Sequence, residues 1–93
     1  MTFDDLRQIK GINNERAIYF DSNVPRYLEI EAEYATFEML ASLLPAEFAE
    51  MLSVDEADRN VDLIESWPTQ AKLAAAEDWE ALIKLQATLP DWD

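Results

Sequence analysis

The chain contains no cysteine and no histidine. The first absence excludes disulfides, thiolate metal sites and a thiol nucleophile, and the second removes the usual imidazole base. Ser22, Ser42, Ser53 and Ser66 therefore stand without the partner that activates a serine, and no Ser-x-x-Lys spacing supplies a lysine instead. The single glycine, Gly11, is too little for a phosphate-cradling loop or a dinucleotide fingerprint. Zinc finds neither of its preferred ligands. No apolar run approaches the roughly 18 residues that a bilayer span needs. Asp4 and Asp5 precede any apolar stretch, so no secretory signal is expected and a cytosolic setting is the default. These absences favour binding over catalysis, and no cofactor is expected.

What is present is acid. The 93 residues carry a formal charge of −13, and 49% hydrophobic content makes a packed core feasible despite it. The charge is unevenly placed. Residues 1–26 hold four bases and four acids and are neutral, whereas residues 27–93 hold sixteen acids against Arg59, Lys72 and Lys84. Such a field repels nucleic acid and anionic membranes and attracts basic proteins.

One glycine and four prolines argue against a multi-stranded β protein. The expected fold is mainly α, a single domain forming a small bundle of four to five helices, with one short strand or hairpin possible near 15–21. Thr2 with Asp5 resembles an N-cap signal and Gly11 a C-cap, giving a short helix over 3–10. Ala17–Phe20 reads equally as strand or helical turn. The spacing of Tyr27, Ile30, Tyr34, Phe37, Ala41 and Leu44 predicts a helix over 24–44, capped by Ser22 or Asn23 with Pro25 in its first turn. Pro45 opens a helix at 46–52. Ser53 and Glu56 form a capping-box pattern for a helix over 53–66, with the apolar stripe Val54, Ala57, Val61 and Ile64. Pro68 ends it, and Thr69 caps a last helix over 70–88 that buries Leu73, Trp79, Leu82, Ile83 and Leu89.

One residue out of phase with that stripe, Asp55, Asp58, Asp62 and Glu65 form a row of about one carboxylate per 5.4 Å turn. Glu77, Asp78 and Glu80 cluster on the last helix, and Glu29, Glu31, Glu33 and Glu38 decorate the first long one. Two or three such faces side by side approximate the charge density of a phosphate strand, about one charge per 1.7 Å of duplex axis. A solvated, solubilising surface explains the same residues, but −13 exceeds what solubility asks of this length. Neighbours such as Glu29/Glu33 and Asp58/Asp62 also repel by a few tenths of a kcal/mol each. The stripe offers oxygen ligands for Mg²⁺ or Ca²⁺, but no Asp-x-Asp-x-Asp-Gly loop accompanies it, and no metal site is expected. Among the tryptophans, Trp79 reads as core and Trp67 as packing a helix junction. Trp92, between Asp91 and Asp93, has least reason to be buried and is a candidate anchor for a partner, unless it docks back on the domain.

Ala17–Val24 resembles the opening strand-and-acid motif of PIN-domain nucleases, which implies Asp21 as a metal ligand. The resemblance covers eight residues, and the later strands and acids of that family are not recognisable. A short, cysteine-free, acidic chain with rows such as Asp55/Asp58/Asp62/Glu65 is similar in character to phage and mobile-element inhibitors of the anti-CRISPR and DNA-mimic types. That likeness implies a host-cytoplasmic inhibitor that occludes a basic, nucleic-acid-binding protein. The partner-binding residues expected on this reading are Glu29, Glu33, Asp55, Asp58, Asp62, Glu65, Glu77, Asp78, Glu80 and Trp92, with neither nucleic acid nor membrane bound directly. The alternative is an assembly adaptor or antitoxin-like subunit that pairs through the Tyr27–Leu44 seam, and a metal-carboxylate enzyme comes third. A seam of that kind leaves monomer and homodimer both open.

Overall fold

Asp5 sets the first local structure in the computed structural model, which describes residues 4–93. Its side chain accepts the Arg7 N–H at 3.0 Å and starts a 3-10 turn over Leu6–Gln8, within the expected helix at 3–10; Thr2 lies outside the described residues. Gly11 follows at φ +103°. A Cβ there would stand 2.8 Å from Nε1 of Trp67, so both the backbone and the space require glycine.

Helix α1 spans Asn14–Tyr27 and is capped by Asn13, whose side chain accepts the Arg16 N–H at 2.9 Å. The ambiguous Ala17–Phe20 segment is therefore helical, and so is the octapeptide that resembles a nuclease strand. Ala17, Phe20 and Val24 recur at three and four residues and are buried, while Ile18 and Tyr19 face outward. Pro25 falls in the last turn of α1, not the first turn of a new helix. The predicted helix over 24–44 does not form. Leu28 closes α1 by donating to the Val24 carbonyl at 3.0 Å, Glu29 turns left-handed at φ 58°, and the Ile30 N–H reaches the Pro25 carbonyl at 2.8 Å. Residues 28–36 then run without helix. Two distant carboxylates hold this run, Asp21 accepting the Ala35 N–H at 3.0 Å and Asp4 the Phe37 N–H at 2.8 Å. With Glu29, Glu31 and Glu33 unrelieved by nearby lysines, these tertiary bonds override a helical pattern that was correct only in spacing.

Helix α2 spans Phe37–Ser42 behind its cap Thr36, and α3 spans Pro45–Met51 with proline in its first turn, as expected. Ser53 caps α4, Val54–Arg59, by the expected exchange with Glu56. The helix predicted over 53–66 breaks at Asn60, which is buried and spends its side chain on the Glu56 carbonyl, the Asp93 carbonyl and the Asp93 N–H. Helix α5 spans Val61–Ala75 and runs through Pro68. The hydrogen bond lost there is offset by burial of Trp67, Ala71 and Ala74 on either side of it. Thr69 is accordingly mid-helix. Glu77, left-handed at φ 57°, ends α5, and Asp78 caps α6, Trp79–Gln86, so the helix predicted over 70–88 is two.

The chain is thus mainly α, with six helices rather than four to five and no strand among the described residues. Helix α5 is the axis, packed against α2, α3, α4 and α6. Fully buried Trp67 meets Phe20 and Phe48 edge-on at centroid distances of 5.7 and 5.2 Å. Fully buried Gln70 accepts the Lys10 N–H at 2.8 Å and donates to the Lys10 carbonyl at 3.2 Å, fastening the amino-terminal turn to α5. The radius of gyration, 12.3 Å, matches the ~13 Å of a folded chain of this size, so the excess charge does not swell the domain.

Candidate functional site

The break at Asn60 changes the carboxylate row. Asp55 and Asp58 belong to α4, and Asp62 and Glu65 to α5, so they do not form one straight stripe. All four are exposed. Asn60 instead folds the row around the chain end. Asp58 and Asp62 share with Asp91 and Asp93 a hollow of about 330 Å³ against Pro90. Asp91 and Asp93 escaped sequence reasoning because the tail carries no periodicity. The one available signal is Asn60, a weak helix former whose side chain competes for backbone groups, within a helical pattern.

A second acidic hollow, also about 330 Å³, lies where Asp4, Glu38 and Glu77 surround Phe37 and Trp79. Glu31 and Glu33 line a third with Ser22, Arg26 and Ile30. Glu29, Glu33, Glu77, Asp78 and Glu80 are exposed as expected. Three of these carry structural duties as well: Glu29 and Glu77 terminate helices, and Asp78 caps one. Among the described residues, no group of three or more carboxylates is arranged to hold a metal ion. Asp21, the implied nuclease ligand, is a helical residue bonded to the Ala35 backbone, and burial raises its carboxyl above the ordinary value against that bond.

The bases go elsewhere. Arg7 pairs with Asp5, whose carboxyl it holds below the usual range through their hydrogen bond. The Lys10 ammonium donates to the Leu89 carbonyl at 2.7 Å and the Gln86 carbonyl at 3.1 Å, closing the end of α6, with Asp91 at 3.5 Å. Arg16 donates to the Gly11 carbonyl at 2.8 Å and lies 3.8 Å above the Trp92 ring; burial lowers its pKa from the ordinary value. Arg59 pairs with Asp55 and Lys84 with Glu80 along their own helices.

Trp92 is half-buried. It stacks on Trp67 at 5.8 Å and 3° between planes, and the Arg16 guanidinium lies 3.8 Å from its ring centroid, so it packs the tail back on the domain. Trp79 departs from expectation the other way: it is 40% exposed and meets Phe37 at the edge of the core. Tyr27, Ile30, Tyr34 and Leu44 of the predicted seam are exposed but no longer share a helix, and only Phe37 of the six is buried in full. The predicted seam is therefore not one helix face. The stripe Val54, Ala57, Val61 and Ile64 survives in altered form. Ile64 is buried, whereas Val54 and Val61 stay exposed.

The chain matches no protein-family model, no curated protein and no solved structure. Among the described residues, no helix is long and apolar enough to cross a membrane.

Proposed function

We propose that the protein is an inhibitor that acts by binding, covering the basic nucleic-acid site of a partner protein with its carboxylate surface. One observation carries this reading: the nine acids expected at the interface face solvent and outnumber the exposed bases, of which Arg59 and Lys84 pair with Asp55 and Glu80, while Lys10 and Arg16 are partly buried against the tail. A lysine- or arginine-lined channel would meet the carboxylates Asp58, Asp62, Asp91 and Asp93 of α4, α5 and the tail together, much as it meets phosphates. Steering by this field speeds association, and binding weakens as salt rises. The likeness to DNA-mimic and anti-CRISPR inhibitors supports the same mode, which asks for no cofactor and no catalytic group. To test it, a partner is captured, the complex purified, and duplex DNA added in competition. Displacement by DNA is expected; a ternary complex holding protein and DNA together would contradict the proposal.

A further inference from the structure

Four separate stretches of chain meet at the hollow of about 330 Å³ beside α2. The amino-terminal segment brings Asp4, α2 brings Phe37 and Glu38, the turn after α5 brings Glu77, and α6 brings Trp79. Each is fixed locally. The Asp4 carboxylate accepts the Phe37 N–H at 2.8 Å, and the left-handed turn at Glu77 sets where that side chain leaves the backbone. Phe37 and Trp79 meet edge to face at 6.3 Å and 75° between planes, so their rings make two walls at a steep angle. Phe37 is buried and supports the corner, whereas Trp79 keeps 40% of its surface open. An indole left open forgoes burial that a domain this small has little stability to spare.

The charges that line the hollow itself select its occupant. Asp4, Glu38 and Glu77 are among its walls, and no lysine or arginine is, among the described residues. Arg7 of the 3-10 turn and Lys84 of α6 are paired with Asp5 and Glu80. An apolar occupant would cover these carboxylates without pairing them, and an anion would be repelled. An organic cation satisfies both kinds of wall, since an indole face attracts it and the carboxylates accept its N–H groups. A guanidinium fits better than an ammonium, because it is planar, weakly hydrated and carries its donors in a fork. The domain already makes this pairing internally, with the Arg16 guanidinium 3.8 Å from the centroid of the Trp92 ring. We infer that the Phe37/Trp79 hollow receives one arginine side chain of the partner. This rests on the proposed function for the partner's basic character. It adds a fixed seat for one residue of that partner, at the opposite end of α5 from the hollow of Asp58, Asp62, Asp91 and Asp93.

The test titrates the whole isotope-labelled chain by nuclear magnetic resonance with three small probes: N-acetyl-arginine amide, its lysine counterpart and its citrulline counterpart, which keeps the shape of arginine without the charge. The arginine probe should shift the Trp79 indole N–H and the backbone N–H groups of Glu38 and Glu77 saturably. It should bind about threefold or more tighter than the lysine probe, and the citrulline probe should leave these signals in place. Glu38→Gln combined with Glu77→Gln, and separately Trp79→Leu, should each weaken the arginine probe, read from the backbone signals. Circular dichroism checks the fold, and the paired carboxylate variant carries the test if Trp79→Leu does not fold. Equal shifts from the citrulline probe would overturn a cationic occupant, and equal binding of the lysine probe would overturn its assignment to arginine. Arginine-probe shifts as large at Asp58 and Asp62 as at Glu38 and Glu77 would overturn the seat and leave the acidic surface standing. No shift at all would overturn the seat, while the proposed function is decided separately by DNA competition on the captured complex. Shifts at the hollow that grow with protein concentration before any probe is added would assign it to a second copy and overturn the inference.

Discussion

Helices α4 and α5 adjoin at Asn60, carry the same row of acids, and stand at opposite extremes of packing. Helix α5 buries Leu63, Ile64, Trp67, Gln70, Ala71 and Ala74, and α4 buries nothing. What holds α4 is mostly local, the Ser53 cap, the Arg59–Asp55 pair and the Asn60 side chain at its end, with Ala57 alone packed against the core. A carboxylate on α5 is thus displayed by the core itself, while one on α4 is displayed by a short helix that touches the core at one residue. Identical sequence rhythm produces a rigid mount in one case and an adjustable one in the other.

The contrast is broken most severely at Trp67. Trp67→Ala should cost about 3–5 kcal/mol in denaturant unfolding, because the indole is fully buried among Phe20, Phe48 and Trp92. Val54→Ala, the corresponding truncation on α4, should change stability by less than about 0.5 kcal/mol. Asn60→Ala sharpens the boundary between the two helices. It removes the bonds from the side chain to the exposed Asp93 N–H and carbonyl, at about 0.5–1.5 kcal/mol each, and hydrogen exchange should show the tail and α4 loosening before α5. At the far end of α5, Glu77→Gly should stabilise the domain by ~1 kcal/mol in thermal unfolding, since glycine adopts the left-handed turn without strain.

The smallest effect concerns pH and α1. Burial raises the Asp21 carboxyl above its unfolded value, so its favourable contribution is present at low pH and is lost as pH rises through the folded-state pKa. Asp21→Asn keeps an acceptor for the Ala35 N–H and removes the titration. The variant should gain on the parent as pH rises through the carboxylate range and converge with it at low pH. A pH-independent difference in urea midpoints would show that the charge at Asp21 plays no part.

Local chemistry in this chain was readable, whereas long-range connection was not. The caps at Ser53 and the opening of α3 by Pro45 depend on a few adjacent residues, and both appear as expected. Helix continuity depends on what lies across the fold. Pro68 was expected to stop a helix and does not, because Trp67, Ala71 and Ala74 are held in the core. The row from Tyr27 to Leu44 was expected to be one helix and is not, because Asp4 and Asp21 capture the backbone at Phe37 and Ala35. The same holds at the surface. Nine expected carboxylates are exposed where the pattern put them, but their gathering with Asp91 and Asp93 is made by Asn60, whose partners lie 33 residues away. Of the two readings of Trp92, anchor or docked tail, the sequence did not choose, since nothing near it announces Trp67 and Arg16 as its neighbours.

The central claim concerns charge on a fixed surface, and neutralising that surface without unfolding it addresses the claim most directly. A variant combining Asp58→Asn, Asp62→Asn, Glu65→Gln and Asp93→Asn changes only exposed carboxylates. Its association rate with the captured partner, measured by surface plasmon resonance across a salt series, should fall and lose much of its salt dependence, with circular dichroism unchanged. A folded variant that binds the partner at the parent's rate, with the parent's salt dependence, would contradict the account.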